Sequence, residues 1–298
     1  MTRPHSTSPI MNKHLSSLLT KTTTAAVVAV GMATGAAQAF DINPRSTAPD
    51  YFQTALPTMA PFVGKEARKL DPNEINFRTL DESLLQMKYD HDVKVYFLGE
   101  TAGGYRNRLD FATTGTTVTA QTKIFGDTSC SPSQRNTLVN FSGYCQNPNA
   151  AVAGRSAQDS PLNVGDWVSL GKFQAGTIFD FSLVSNWING GISGRDVRTG
   201  KTVPGRFRAN AKDNPDGKQH AMSYFYEDLL VLAFEDLWGG GDQDFNDTVF
   251  AIDFGRKNNR EIAGVATPEP TAMLGLGLMV LGLAGSAKRR SRKSGVES

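Results

Sequence analysis

Cysteine is nearly absent from this sequence of 298 residues: only Cys130 and Cys145 occur, and there are four histidines. Beyond residue 39 the histidines reduce to His91 and His220, which give no familiar Cys/His zinc spacing with those cysteines. Also missing are a Gly-x-Ser-x-Gly elbow, a phosphate-binding P-loop and a His-Glu-x-x-His helix, so serine hydrolysis, phosphate binding and zinc peptidase chemistry lose their usual warrants. Charge of one sign is missing too. Thirty-one basic residues balance 29 acidic ones to a formal +2, which implies neither nucleic acid nor an acidic partner. The most telling absence is local: no Lys or Arg occurs from Gln219 to Gly255.

What is present favours strands. Twenty-nine glycines and many Asn, Asp and Thr residues divide the apolar residues into short runs. Val93, Val95 and Phe97 alternate, as do Phe179, Phe181 and Leu183, then Leu230, Leu232 and Phe234, then Phe250, Ile252 and Phe254. With candidates near Val118, Trp167 to Leu170, Phe207 and Ala221 to Tyr226, this predicts an all-β protein of about eight strands, an antiparallel β-sandwich of jelly-roll type over 90–255. Residues 40–89, with five scattered prolines, read as an extended lead-in with room for a short helix around Asp81 to Lys88, and 256–267 as a linker. The polar stretch near 127–163 reads as an insertion. Export would favour a Cys130–Cys145 disulfide, worth about 3 kcal/mol for a loop of roughly 15 residues.

Both ends carry targeting patterns. Ala25 to Ala37 is apolar, follows Lys13 and Lys21, and leads to Ala37-Gln38-Ala39, which predicts a signal peptide over 1–39 cleaved after Ala39. At about 1.5 Å per residue this core reaches roughly 20 Å, short of a hydrocarbon layer of about 30 Å. At the other end, Pro268-Glu269-Pro270 precedes 17 uncharged residues, 271–287, and then Lys288-Arg289-Arg290-Ser291-Arg292-Lys293. As a helix the apolar part spans about 25 Å, enough for a thin bilayer, with the basic cluster cytoplasmic and the body outside. This order, over 268–293, resembles the PEP-CTERM sorting tail of Gram-negative bacterial proteins. The resemblance implies an exosortase-type membrane peptidase as partner, inner-membrane attachment, and then release to the cell surface or the extracellular polysaccharide matrix.

The chemistry concentrates between Glu235 and Asp247, where five carboxylates fall within 13 residues. Two carboxylates held at about 5 Å repel by roughly 3 kcal/mol at an effective dielectric near 20. A fold that gathers several on one turn either binds a cation there or leaves the turn in water. Asp242-x-Asp244-x-Asn246-Asp247 has the every-other-residue oxygen spacing of a loop curled around Ca2+, and Gly239 to Gly241 permits the curl. It is not an EF-hand, because Asp247 stands at the sixth position in place of glycine. The candidate ligands are Asp242, Asp244 and Asp247, then Asp236 and Asn246, with Glu235 weaker. A solvated acidic hairpin is the plain alternative. Trp238 and Phe245 read as hydrophobic pins, and His220 as a structural hydrogen-bonding residue.

From Val93-Lys94-Val95-Tyr96-Phe97 to the Glu235–Asp247 signature, the body resembles a bacterial family of secreted domains of unknown function that ends in E-D-x-x-G-G-G-D-x-D-[FY]-N-D. That resemblance, over roughly Asp90 to Phe254, implies a β-sandwich module with carboxylates suited to calcium and no assigned reaction. Together these features predict a non-enzymatic, exported, calcium-stabilised structural or adhesive component. A carbohydrate-binding module using Trp187, Trp238 or Tyr105 is the first rival, and an enzyme acting on matrix polysaccharide the second. Scattered arginines, Arg106, Arg108, Arg195, Arg198, Arg206 and Arg208 among them, read as a solvated edge or as a surface for anionic polysaccharide.

Overall fold

Alternating apolar residues pair into two antiparallel sheets in the structure, a computed structural model that describes residues 40–59, 63, 77–78, 85–101, 104–130, 159–226 and 228–264. The signal segment with Ala39, Cys145, and the Pro268-Glu269-Pro270 tail with its apolar stretch lie outside the described residues. No helix among the described residues is long and apolar enough to cross a membrane.

The elements in chain order are α1 (Asp50–Met59), β1 (Phe77–Arg78), β2 (His91–Gly99), β3 (Arg108–Gly115), β4 (Thr119–Phe125), β5 (Trp167–Phe173), β6 (Thr177–Val184), β7 (Ser193–Arg195), β8 (Thr202–Pro204), β9 (Arg206–Arg208), β10 (Ala221–Tyr226), β11 (Leu229–Phe234), β12 (Thr248–Asp253) and α2 (Arg256–Ile262). One sheet runs β1-β10-β11-β12-β2-β5, the other β4-β3-β6-β9, and β7-β8 form a separate ribbon. The eight expected strands are all present. The sequence reading missed β3 and the short β1, β7 and β8.

Register explains the core. Leu232 lies opposite Phe250 and Phe250 opposite Phe97, while Leu230, Ile252 and Val95 form the next row, so the alternating residues of three strands share one face. Rings from the four-stranded sheet meet them: Phe179 lies 4.9 Å from Phe254 and Phe181 5.8 Å from Phe250, centroid to centroid. Burying one such ring is worth about 1.5–3 kcal/mol, so these aromatic rows set both the register and the stacking of the sheets.

The N-terminal segment departs from the expected extended lead-in. Phe52, Ala55, Leu56 and Met59 form one buried helical stripe on α1, and Phe52 stacks on Tyr96 at 3.9 Å. Tyr51 donates its hydroxyl to Asp253 Oδ2 and shares a 3.0 Å hydrogen bond with Tyr96. Asp253 thus points away from the acidic turn. Burial works against its charge, but hydrogen bonds from His91, Tyr51 and the Gly255 N–H hold its carboxyl below the usual range. Of the expected helix at 81–88 only 85–88 are described, and there Gln86 forms a bridge with Ile178.

The expected linker begins with a docked helix. Asn258 of α2 accepts from the Lys88 and Tyr89 N–H groups at 2.8 and 2.9 Å and donates to the Tyr89 and Phe254 carbonyls. Its amide is fully used, which fastens α2 beneath the start of β2. At the 127–163 insertion only the ends are described: Leu162 N–H donates to Ser129 O at 2.7 Å, and Cys130 bridges Leu162. Cys130 is buried and there is no free cysteine among the described residues.

The candidate metal centre

The acidic turn joins β11 to β12, adjacent strands in the middle of the six-stranded sheet. Glu235 directly follows β11, and its N–H donates to His220 O at 2.9 Å, so its backbone is as fixed as the strand before it. Asp247 closes the turn with an N–H donated to Phe234 O at 3.0 Å. Between them the chain takes left-handed backbone at Gly239, Gly240, Gly241, Gln243 and Phe245. Positive φ costs a residue with a β-carbon about 1 kcal/mol or more, so the curl at Gln243 and Phe245 is imposed by surrounding contacts.

Those contacts come from three sides. Asn107, before β3, donates to Asp236 Oδ2 at 2.7 Å. Thr101, after β2, donates its N–H to Asn246 O at 3.0 Å and its hydroxyl to Asn246 Oδ1. Asp216 accepts the Gly239 N–H at 2.7 Å and His220 Nε2 at 2.9 Å, while His220 Nδ1 lies 3.1 Å from Glu235 O. Burial alone would raise the Asp216 carboxyl, but these hydrogen bonds hold it below its ordinary value. His220 is fully buried and stacks flat on Phe207 at 3.7 Å. It holds the base of the turn, as its place in the sequence suggests. Trp238 lies against Gly194 and edge-on to Phe207, and Phe245 is buried, so both act as hydrophobic pins.

Within this frame, one oxygen each from Glu235, Asp242 and Asp244 lie within 4.8 Å of one another. Glu235 and Asp244 are buried and Asp242 is exposed, an arrangement open to solvent on one side. Glu235 accepts the Phe245 N–H on Oε1 at 2.9 Å. Its carboxyl is pushed up to about 8, first by burial and then by the charges of Asp244, Asp242 and Asp236, with the Phe245 bond opposing. Asp247 is pushed well above its ordinary range by burial and by Asp236, Glu235 and Asp244. Four carboxylates at the turn, those of Glu235, Asp236, Asp244 and Asp247, are buried without a Lys or Arg between residues 219 and 255. Chemically, such a site holds protons or a hard cation.

Of the ligands expected from sequence, the structure brings Asp242 and Asp244 together and places Glu235 with them. Asp236 and Asp247 are tied to each other, the Asp236 N–H donating to Asp247 Oδ2 at 2.8 Å, and Asn246 is held by Thr101. These three brace the turn in the present geometry. Glu235, the weaker candidate in sequence, joins this group beside Gly241: a β-carbon there would overlap Glu235 Oε2, so the glycine lets the loop backbone fold against that carboxylate. Nothing in the sequence singled out Asn107, Thr101 or Asp216 as anchors.

Several of the scattered arginines carry carboxylate partners. Arg106 pairs with Asp127, Arg208 with Asp180, and Arg108 and Arg206 share Asp110 at 2.8 and 2.9 Å.

The fold and site define an antiparallel, mostly β protein with an acidic turn between two central strands. Residues 173–255 match the model of a domain of unknown function (DUF4114), a stretch that takes in β6 to β12 and the whole turn. That match is shorter than the Asp90 to Phe254 span suggested by the sequence resemblance. No curated protein and no solved structure matches the chain.

Proposed function

We propose that the body is an exported, non-enzymatic β-sandwich module of the jelly-roll kind that binds Ca2+ in its 235–247 turn. It acts at the cell surface or in the extracellular polysaccharide matrix as a structural or adhesive component. In this reading the signal segment exports the chain, and an exosortase-type peptidase acts on the Pro268-Glu269-Pro270 tail.

The observation that carries the calcium reading is the convergence of Glu235, Asp242 and Asp244 oxygens within 4.8 Å on a turn inside a stretch, 219–255, that contains no Lys or Arg. Calcium takes six to eight oxygens at about 2.3–2.6 Å, so carboxylates of this set, loop carbonyls and water together complete a shell. Glu235, Asp242 and Asp244 all come from one turn, which suits a structural ion better than a pair of carboxylates set across a groove for glycoside cleavage. Titrating the full chain with CaCl2 by calorimetry is expected to give one site per chain, abolished by combining Asp242→Asn with Asp244→Asn. Heat no larger than dilution would remove calcium from the account.

A further inference from the structure

Antiparallel pairing sorts the loops of the two-sheet body between two ends. His91 at the start of β2 lies opposite Phe173 at the end of β5, Gly115 at the end of β3 opposite Thr177 at the start of β6, and Lys94 opposite Asp253 at the end of β12. Met87 links the two sheets at this end, its N–H donating to Thr177 O at 2.8 Å and its carbonyl accepting the Gly176 N–H at 2.7 Å. The acidic turn leaves the opposite ends of β11 and β12, where Thr101 follows β2 and Asn107 precedes β3. Strands β3 and β6 each run eight residues, so the two ends stand about 27 Å apart at 3.3–3.4 Å per residue.

Helix α2 decides which end carries the tail. Asn258 is bonded to Lys88 and Tyr89, Asn259 donates to Asp228 O at 2.7 Å in the β10–β11 turn, and Arg256 and Arg260 share the Asp228 carboxylate. These bonds hold α2 at the end away from the acidic turn. Gly264 follows Arg260 by four residues, about 6 Å at helical rise. From Gly264 only seven residues, 265–271, lead to the first of the uncharged stretch, a reach of at most about 25 Å when fully extended. The same end exposes Val118 to 77% at the tip of the β3–β4 hairpin, Tyr51 to 48% and Tyr89 to 44%, with Lys257 Nζ 5.2 Å from the Tyr89 ring centroid. A tyrosine and a lysine so placed suit a water–lipid boundary, because each has an apolar body and a hydrated tip. Trp187 and Leu237 are exposed at the opposite end, so apolar exposure alone does not choose between the ends; the short tether does.

We propose that the end bearing Val118, Tyr89 and α2 is the face the body sets against the phospholipid headgroup layer while its tail is still attached, with the acidic turn directed outward. Arg256 and Arg260 are already engaged by Asp228, so the contact rests on the tether and on the apolar and aromatic side chains, and needs no anionic lipid. The inference rests on the reading of 271–287 as a membrane span and gives the attached body a fixed polarity. Calcium and any matrix component then reach the 235–247 turn from the side away from the bilayer.

The test is short-range quenching in phosphatidylcholine vesicles holding the full chain, with a bimane dye on a single introduced thiol and a nitroxide on a fraction of the lipid headgroups. The variants are Val118→Cys and Lys257→Cys at the α2 end and Leu237→Cys at the other, and the unaltered chain carried through the same labelling gives the background from Cys130 and Cys145. Loss of most of the fluorescence at 118 and 257, with little loss at 237, is the expected result. Flotation of the vesicles separates the two readings. A chain that does not float with them shows that 271–287 is not a membrane span, and the proposal falls with it. A chain that floats but is unquenched at 118 and 257, or is quenched equally at 237, leaves the tail reading standing and overturns the proposed face. Thermal melts identify any variant that fails to fold, and Thr116→Cys then replaces Val118→Cys.

Discussion

Saturating Ca2+ is expected to raise the thermal midpoint of the full chain by roughly 5–10 °C over the chelated protein. The figure follows from linkage: a ligand at about 100 times its dissociation constant adds about 2.7 kcal/mol, and 1 kcal/mol shifts a domain of this size by about 2–4 °C. In the proposed reading the ion acts on the folded state, which gathers Glu235, Asp242 and Asp244 within 4.8 Å. Combining Asp242→Asn with Asp244→Asn should remove the calcium-dependent shift, and should also raise the midpoint of the chelated protein, since the repulsion it relieves is present without metal. An acidic turn that merely solvates itself predicts a different result, with no calcium shift in the parent chain and little change in the variant. Scanning calorimetry with and without chelator separates the two.

The second large effect is on pH. Glu235 ordinarily ionises near 4.5 and is pushed up to about 8 in the fold, and Asp247 moves in the same direction. Between those limits the unfolded chain has released the Glu235 proton while the folded chain keeps it. The folded state then binds more protons, so stability of the metal-free protein falls as pH rises from about 4.5 to about 8 and levels off above. The expected loss is on the order of a few kcal/mol. Calcium reverses the preference because it favours the ionised carboxylate, so the stabilisation it provides grows with pH over the same window. Glu235→Gln, which keeps an acceptor for the Phe245 N–H, should flatten the metal-free profile. Urea melts at intervals from pH 5 to 8.5, in chelator, read the slope directly. A metal-free protein whose stability rises with pH through this range would show that Glu235 is ionised in the fold.

The strands of the two-sheet core were legible where burial is one-sided and the chemistry is plain. Phe179 and Phe181, or Phe250 and Phe254, alternate without interruption because every second residue meets the other sheet. Strand β3 was not legible, because its apolar signal is only Leu109 and Phe111 and its interior position Asp110 is a carboxylate. Asp110 tolerates burial through Arg108 and Arg206, the latter 96 residues away in sequence, and no local pattern reveals such a partner. Helix α1 carries the i, i+3, i+4, i+7 spacing at Phe52, Ala55, Leu56 and Met59, but Pro49 and Pro57 masked it. Pro49 precedes the first helical turn, where a missing N–H costs nothing, and the Phe52–Tyr96 stack and Tyr51–Asp253 bond hold the helix to the sheet.

The acidic turn was legible as a composition and less so as a geometry. Five carboxylates in 13 residues with no Lys or Arg nearby are visible to any reader of the chain. Which of them converge depends on where the loop backbone travels. That path is set by Asn107, Thr101 and Asp216 from other parts of the chain, and by Gly241, which lets the loop close over Glu235. Carboxylates ranked in sequence with Asp242, Asp244 and Asp247 first, Asp236 next and Glu235 weaker divide in the structure into a converging set, Glu235, Asp242 and Asp244, and a bracing pair, Asp236 and Asp247.

The most direct test is a crystal structure of the chain grown in calcium, with anomalous scattering measured at the turn. A single anomalous peak about 2.3–2.6 Å from oxygens of Glu235, Asp242 and Asp244 is the predicted result. A map with no peak there, and those carboxylates turned outward into ordered water, would contradict it.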